Sequence, residues 1–193
     1  VDSKKIRIKG FKEIFKNYKK SEVDQLITYH NKNGGISRYE KIKWFYEFIL
    51  KKNLSESELK IKSSAFKSIM LREMIDPNIL INNALYFIKN NYKKIPLHII
   101  SGSDEEELKS ICKELNINKY FKSIKGSPKK KYNLIKEFID LNNFPKEKIV
   151  YIGDSLIDHS CAKKNNIFFY GYNNKDLCSI SDFYIRDFNE LIK

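Results

Sequence analysis

The sequence predicts an α/β fold in which a doubly wound parallel sheet follows an all-helical region. In the first half, apolar residues recur every three to four positions and no segment has the pattern of a strand, which is typical of helices. In the second half, short apolar segments alternate with amphipathic helical segments, as in a parallel sheet crossed by helices. The chain therefore divides into a helical domain, residues 1–92, and an α/β domain, residues 93–193.

N-capping residues mark where the helices of the first half begin. Ser37 follows a glycine-containing break, Ser55 and Glu58 form a capping box, and Asp76-Pro77 combines a cap with a proline at the first helical position. Two earlier helices are predicted from apolar periodicity alone. The five predicted helices cover about residues 8–18, 22–30, 38–49, 56–74 and 77–90.

The second half contains the predicted sheet. Short apolar segments bounded by Gly, Pro, Ser or Asp are expected to be strands, and Asp104 is expected to cap the helix after the first of them. The predicted strands cover about residues 97–101, 121–124, 148–152, 167–170 and 183–185, and the third of these is expected to be buried. The predicted helices between them cover about residues 104–115, 132–141 and 156–164.

The composition excludes disordered and membrane-spanning chains. Of the 193 residues, 41% are hydrophobic and 13% aromatic, which is enough for a folded core. No apolar run reaches the length of a membrane span, and the polar first five residues are unlike a signal peptide. The cysteines Cys112, Cys161 and Cys178 have no CxxC spacing, so we expect a reducing, cytoplasmic setting.

The formal net charge of +13 raises the hypothesis of a nucleic-acid partner. The lysines are scattered, however, and the longest basic run is Lys129-Lys130-Lys131. There is no aromatic RNA-binding motif, zinc-finger spacing or arginine-rich arm. A solvated basic surface is therefore favoured over a nucleic-acid interface, and an anionic small substrate would also gain from the positive field.

Polar residues that can carry chemistry follow the predicted strands. In open parallel sheets, ligands bind beyond the carboxyl ends of the strands. Ser101-Gly102-Ser103 ends the first strand, and its hydroxyl and backbone N–H groups can hold a phosphate oxygen. Asp154 and Asp158 follow the third strand, and such hard carboxylate ligands suit Mg²⁺. Taken singly, each group is also explained as a helix cap or a first-turn acid; the combination with the lysine run favours a phosphate site beside Mg²⁺.

These segments resemble the motifs of the haloacid dehalogenase superfamily of phosphatases, over essentially the whole chain. Residues 98–102 resemble the second motif of that family, residues 126–131 the third, and residues 151–158 the fourth, which is the most specific of the three. The resemblance implies a Rossmann-like α/β core and an all-α cap over about residues 6–90. The first central strand of that core is apparently missing from this sequence.

The resemblance implies a role for each matching residue. Ser101 and Lys131 would be catalytic groups, and Ser101, Gly102 and Lys131 would bind the phosphoryl group, with Lys129 as the fallback lysine. Asp154 would be a Mg²⁺ ligand, and Asp158 a second ligand or an outer-shell carboxylate. Mg²⁺ is the implied cofactor.

The first motif of the family, a strand ending in Asp-x-Asp-Gly, has no match in the sequence. The opening Val1-Asp2-Ser3 resembles the end of the segment that follows this motif, so the strand and both catalytic aspartates are expected upstream of Val1. Asp2 matches a position at the cap entrance and is not expected to replace the nucleophile. The missing strand would lie between the predicted strands 97–101 and 148–152 and would leave two unpaired edges.

The implied function is Mg²⁺-dependent phosphoryl transfer from a small phosphorylated metabolite, for example a sugar phosphate, through an aspartyl phosphate. In the cap, Arg38 and Lys41 follow the glycine-hinged loop Gly34-Gly35 and are candidates for contact with the substrate. The chain by itself is expected to be inactive. The alternatives are a non-catalytic fragment or pseudoenzyme and, more distantly, a basic nucleic-acid-binding module. The histidines His30, His98 and His159 are interpreted as structural.

Overall fold

The computed structural model describes residue 1 and residues 3–191, and its elements follow the predicted order. The helices are α1 (Lys4–Ile14), α2 (Lys20–Lys32), α3 (Arg38–Trp44), α4 (Glu56–Glu73), α5 (Asn82–Asn91), α6 (Glu105–Glu114), α7 (Lys131–Asn142) and α8 (Leu156–Lys164). The strands are β1 (His98–Asp104), β2 (Ser123–Ser127), β3 (Val150–Gly153), β4 (Phe168–Tyr172) and β5 (Phe183–Ile185). A π-helix, Phe45–Leu50, continues α3, and short 3₁₀ turns join several elements.

The predicted helix caps are confirmed at three positions, where a side-chain oxygen accepts a backbone N–H from the first turn of the helix that follows it. The Ser37 hydroxyl accepts the first-turn N–H of Glu40, and the Ser55 and Glu58 capping box is present. The Asp104 carboxylate likewise accepts the N–H of Glu107 at the start of α6. These caps depend on neighbours within three residues, which is why the sequence reveals them.

The predicted fifth helix begins later than expected. Pro77–Ile79 forms a separate 3₁₀ turn, and α5 begins only at Asn82. The backbone at Leu80 is extended, and its side chain packs with the helices before it. Phe87 of α5 instead packs against Phe188 near the C-terminus. The break lets these two apolar segments face different parts of the molecule, and the packing of α5 crosses the predicted domain boundary at residue 92.

The first four helices and the π-helix form the cap, residues 4–73, around one aromatic core. Phe11, Phe15, Phe45 and Phe66 are almost completely buried there. The same cluster includes Ile111 and Leu115, which belong to α6 of the second half. The cap is therefore packed directly onto α6, and burial of this shared apolar surface holds the two halves together.

The strands form two parallel sheets where a single sheet was predicted. One contains β1 and β2, and the other has the order β3-β4-β5. Among the described residues, no strand pairs with both β1 and β3. A side chain links the two sheets instead: the Tyr151 hydroxyl of β3 donates to the Ile100 carbonyl of β1, at 3.0 Å.

Strand β3 is less buried than predicted. Tyr151 faces α7 and α8, but Val150 is 42% exposed and Ile152 36% exposed on the opposite face. Phe168, which pairs with Val150 in the sheet, is 44% exposed on the same face. The prediction of a buried strand was wrong because it assumed that elements cover both faces of the sheet.

All three cysteines are free thiols; Cys112 and Cys161 are buried, whereas Cys178 is exposed. In the described part of the chain, no helix has both the length and the apolar character required to span a membrane.

Candidate active site

Three of the predicted motifs meet at the carboxyl ends of β1 and β3. Ser101 lies within β1, Lys131 begins α7, and Asp154 follows the last residue of β3. The cap loop, residues 33–37 between α2 and α3, lies against these segments. A Cβ atom placed on Gly35 would lie 3.2 Å from the Lys131 Nζ, and one placed on Gly102 would lie 2.2 Å from the Gly35 carbonyl oxygen. The fold therefore brings segments that are distant in sequence into one site, covered by residues of the cap.

Asp158 is the centre of a buried hydrogen-bond network. Lys131 forms an ion pair with its Oδ1, which also accepts the Tyr151 hydroxyl at 3.1 Å. Its Oδ2 accepts the Ser155 backbone N–H at 3.1 Å and the Ser155 hydroxyl at 2.6 Å. Both carboxylate oxygens are thus occupied by protein donors. Of the two roles expected for Asp158, this arrangement favours the outer-shell carboxylate over a direct metal ligand.

Asp154 is the carboxylate that remains available. The residue is exposed, and its carboxylate accepts its own backbone N–H rather than a hydrogen bond from another described side chain. Partial burial of the carboxyl group, and next the negative charge of Asp158, raise the pKa of Asp154. The positive charge of Lys131 opposes this rise. A divalent cation at this carboxylate would offset the same repulsion.

The donor chemistry near Asp154 fits Mg²⁺ but not a closed protein cage. Among the described residues there is no group of three or more His, Cys, Asp or Glu side chains that would surround a metal ion. Mg²⁺ is usually held by one or two carboxylates, with waters and substrate phosphate completing the octahedron. Asp154, with Asp158 close to it in the sequence, provides the one or two carboxylates by which Mg²⁺ is usually held.

The structure separates the two candidate lysines. The Lys131 side chain is 8% exposed and paired with Asp158. Lys129, in contrast, is half-exposed and pairs with Glu137 on the surface of α7. Of these two lysines, Lys131 therefore lies beside the residues that follow β3.

The hydroxyl groups at the end of β1 are joined to the cap by an arginine. Ser101 Oγ and Ser103 Oγ lie 3.1 Å apart, and the Ser103 backbone N–H donates to Ser101 Oγ. The Arg7 guanidinium of α1 donates to Ser103 Oγ at 2.9 Å and to Ser3 Oγ at 3.0 Å. Arg7 was not singled out from the sequence, because nothing near it in the chain marks it as part of a site.

The two cap residues predicted to contact substrate have different surroundings. Arg38 forms a fully buried ion pair with Glu107 of α6 and also donates to the Ser63 carbonyl. Lys41 is 3% exposed, and its Nζ lies 2.8 Å from His30 Nδ1. Arg38 therefore joins the cap to the core. The partner of Lys41 is neutral, because burial, and then the charge of Lys41, lower the pKa of His30 to about 3.

Additional contacts close the cap over the site. The Tyr39 hydroxyl donates to Asp104 Oδ2 at 2.7 Å, between α3 and the end of β1. A Cβ atom on Gly35 would also meet Ser155 Oγ at 2.7 Å. A surface hollow of about 350 Å³ lies nearby, lined among others by Asp104, Ser127 and Lys129. The cap loop at Gly35 thus lies against the segments of Gly102, Lys131 and Ser155.

A protein-family model described as haloacid dehalogenase-like hydrolase matches residues 1–172 of the chain. No curated protein sequence matches the chain.

Solved structures with the same fold cover nearly the whole chain. β-Phosphoglucomutase from Clostridium difficile matches with a TM-score of 0.78 and 16% identity, over 98% of this chain and 87% of that one. A CbbY variant from Rhodobacter sphaeroides in complex with xylulose-(1,5)bisphosphate matches with a TM-score of 0.72 and 17% identity, over 98% and 90%. The putative hydrolase YfnB from Bacillus subtilis, bound to magnesium, matches with a TM-score of 0.69 and 18% identity, over 99% and 91%. At these identities the likeness shows the fold alone.

Proposed function

Because the chain belongs to the haloacid dehalogenase-like hydrolase family, we propose that it forms the phosphate-binding and Mg²⁺-binding parts of a phosphatase for small phosphorylated metabolites such as sugar phosphates. The observation that supports this proposal is that the cap loop at Gly35 lies against Gly102, Lys131 and Ser155, which are Lys131 itself and the residues next to Ser101 and Asp154 in the sequence. The magnesium in one structural relative and the sugar bisphosphate in another are compatible with it.

In this proposal the chain supplies the groups that hold the phosphoryl group. The Ser101 hydroxyl and the Gly102 N–H donate to its oxygens, and the Lys131 ammonium offsets the charge that gathers on them in the transition state. Asp158 is a positioning residue, because its ion pair fixes the Lys131 side chain. Asp154 would hold Mg²⁺, and the bound ion would supply positive charge that offsets the repulsion between a carboxylate nucleophile and a phosphate.

The nucleophile itself is not found in the sequence, which contains no Asp-x-Asp. The family resemblance implies an aspartate that attacks phosphorus to give an aspartyl phosphate, and a second aspartate that protonates the leaving oxygen and then activates water. We propose that the 193 residues alone hydrolyse phosphomonoesters at a negligible rate. A pseudoenzyme that binds phosphate without turnover is the corresponding alternative.

Binding of inorganic phosphate in the presence of Mg²⁺, measured by isothermal titration calorimetry on the whole chain, tests the phosphate site. We expect Lys131→Met to weaken phosphate binding by about tenfold or more, because it removes a charge-assisted contact. Lys129→Met is the matched control and should bind phosphate like the wild type, since Lys129 pairs with Glu137 on the surface. Equal affinities of the two variants, with both shown folded by circular dichroism, would contradict the proposal.

The inactivity of the chain is tested with a generic phosphomonoester and Mg²⁺. We expect no hydrolysis above the buffer rate. Robust hydrolysis that disappears in Asp154→Ala would show that these 193 residues do contain a nucleophile and would contradict the proposal.

We also propose a reducing compartment, such as the cytoplasm, for this protein. The supporting observation is that all three cysteines are free thiols, two of them buried. Recovery of the native protein with disulfide-linked cysteines would contradict it.

A further inference from the structure

A second surface hollow, the lysine hollow, has a volume of about 430 Å³ and is lined by residues 92–96 and 119–122. The first segment leads from α5 into β1, and the second leads from α6 into β2. The Lys122 backbone N–H donates to the Leu97 carbonyl at 2.8 Å and holds the two segments together. Both segments precede their strands, so the lysine hollow lies at the amino ends of β1 and β2, away from the site at the carboxyl ends.

Four exposed lysines line this hollow, and none of its described lining residues is acidic. The lysines are Lys93, Lys94, Lys119 and Lys122. In the described part of the chain, none of the four forms an ion pair. They come from two distant segments, so no basic run in the sequence reveals them. Positive charge gathered around a concave surface attracts anions more strongly than the same charge spread over the molecule.

Two tyrosine rings hold lysines on the two walls of the hollow. The rings of Tyr92 and Tyr120 pack edge to face, with their centroids 5.0 Å apart and their planes at 69°. The Lys93 Nζ lies 5.8 Å from the centroid of the Tyr92 ring, and the Lys119 Nζ lies 5.4 Å from that of Tyr120. These cation–π contacts restrict both lysine side chains. One ammonium group on each wall is therefore positioned before a ligand arrives, which lowers the entropic cost of binding.

We propose that the lysine hollow binds a di- or triphosphate chain, either as a free oligophosphate or as the tail of a nucleotide. Such a chain carries several negative charges in a row, so it can meet the lysines of both walls at once. A volume of about 430 Å³ is that of a small-molecule site. Pro96 and Phe121 add apolar surface on which the base of a nucleotide can lie. The site is additional to the proposed phosphatase site and does not depend on it.

Backbone amide chemical shifts of the whole chain, recorded by NMR without Mg²⁺, test where the ligand binds. Sodium triphosphate and ATP are the two probes. We expect saturable shifts at residues 92–95 and 119–122, with smaller changes at residues 101–103 and 131. Stronger binding of ATP would identify a nucleotide as the source of the phosphate chain, and equal binding a free oligophosphate. Shifts that do not saturate, or that are confined to residues 101–103 and 131, would overturn the inference.

A pair of double variants separates the lysine hollow from the net charge of the protein. Lys93→Gln with Lys119→Gln removes one cation from each wall and should weaken triphosphate binding by about tenfold or more. Lys146→Gln with Lys148→Gln, in the turn before β3, removes the same charge and should stay within about twofold of the wild type. All four positions are exposed, so both variants are expected to fold. Equal weakening by the two variants would overturn the inference.

Discussion

The surroundings of Lys131 and of Lys41 differ although both lysines are buried at the same junction. Lys131 is paired with Asp158, which is itself held by Tyr151 and Ser155. Lys41 is next to a neutral histidine and close to other cations. A buried lysine that is paired with a carboxylate is held in one position, whereas a buried lysine without such a partner lowers the stability of the fold. The comparison therefore separates the two lysines by their expected effects on stability and on its pH dependence.

The largest expected effect comes from breaking a compensated pair. Glu107→Gln leaves the buried Arg38 charged and without its carboxylate, so the free energy of unfolding in urea should fall by about 3–5 kcal/mol. Glu106→Gln, at an exposed position on the same helix, should change it by less than about 0.5 kcal/mol. A loss below about 1 kcal/mol for Glu107→Gln would show that this pair does not stabilise the junction.

The burial of Lys41 without a carboxylate partner should make the free energy of unfolding depend on pH. The pKa of Lys41 is about 7 in the folded chain and near its ordinary value of 10.5 when unfolded, so between these values the unfolded state binds more protons. Stability should therefore rise with pH in that window, by up to about 1.4 kcal/mol per unit, or about 2 kcal/mol between pH 7 and 8.5. Four groups face Lys41: His30, Arg7 and Lys131 from three other helices, and Glu40 from its own.

Comparison with a variant isolates this contribution. The free energy of unfolding of the wild type minus that of Lys41→Met should rise over the same range, because titration elsewhere cancels. A difference that stays constant from pH 7 to 8.5 would contradict an uncompensated Lys41.

A single added methyl group at the contact between the cap loop and β1 should lower the free energy of unfolding. In Gly102→Ala the added Cβ would lie 2.2 Å from the Gly35 carbonyl oxygen, a backbone atom that must move. We expect the free energy of unfolding to fall by about 1–3 kcal/mol. Gly34→Ala places its Cβ 3.3 Å from the Ser155 Cβ and should cost clearly less. Equal losses for the two variants would show that the loop does not rest on Gly102.

The smallest effect is expected where Asp158 loses one of several donors. Tyr151→Phe removes the hydroxyl that bonds both Asp158 and the Ile100 carbonyl, but Lys131 and Ser155 keep the carboxylate satisfied. The expected loss is about 1 kcal/mol in urea unfolding. Tyr132→Phe, at a more exposed position, serves as the control. A loss above about 3 kcal/mol would mean that the Asp158 network depends on this single hydroxyl.

The sequence predicted well what is determined by nearby residues. The caps at Ser37, Ser55 and Asp104 and the bounds of α8 were confirmed, because each depends on residues within one helical turn. The family resemblance favoured Lys131 over Lys129 as the phosphate-binding lysine; the structure buries the Lys131 side chain and leaves Lys129 half-exposed, and which of them binds phosphate stays a prediction. The phosphate-binding, metal-binding and substrate-binding roles of the site residues remain predictions.

Contacts between distant segments were not predictable in the same way. The partner of Arg38 is Glu107, 69 residues along the chain, and nothing in the sequence couples them. Arg7 similarly meets Ser103 across 96 residues. The exposure of Val150 depends on which elements cover β3, and the late start of α5 depends on where Leu80 packs. Such features follow from tertiary packing, which outweighs local preference.

Because the strands form two sheets, we expect the two sheets to open independently of each other in local unfolding. Each sheet has its own parallel ladder, β1 with β2 and β3 with β4 and β5, and the Tyr151 hydroxyl is a side-chain link between them. Opening one ladder breaks no backbone hydrogen bond of the other. Amide protons of Ile99 and Ile124 should therefore exchange with deuterium as one cooperative group, and those of Phe169 and Tyr184 as another, each with its own opening free energy.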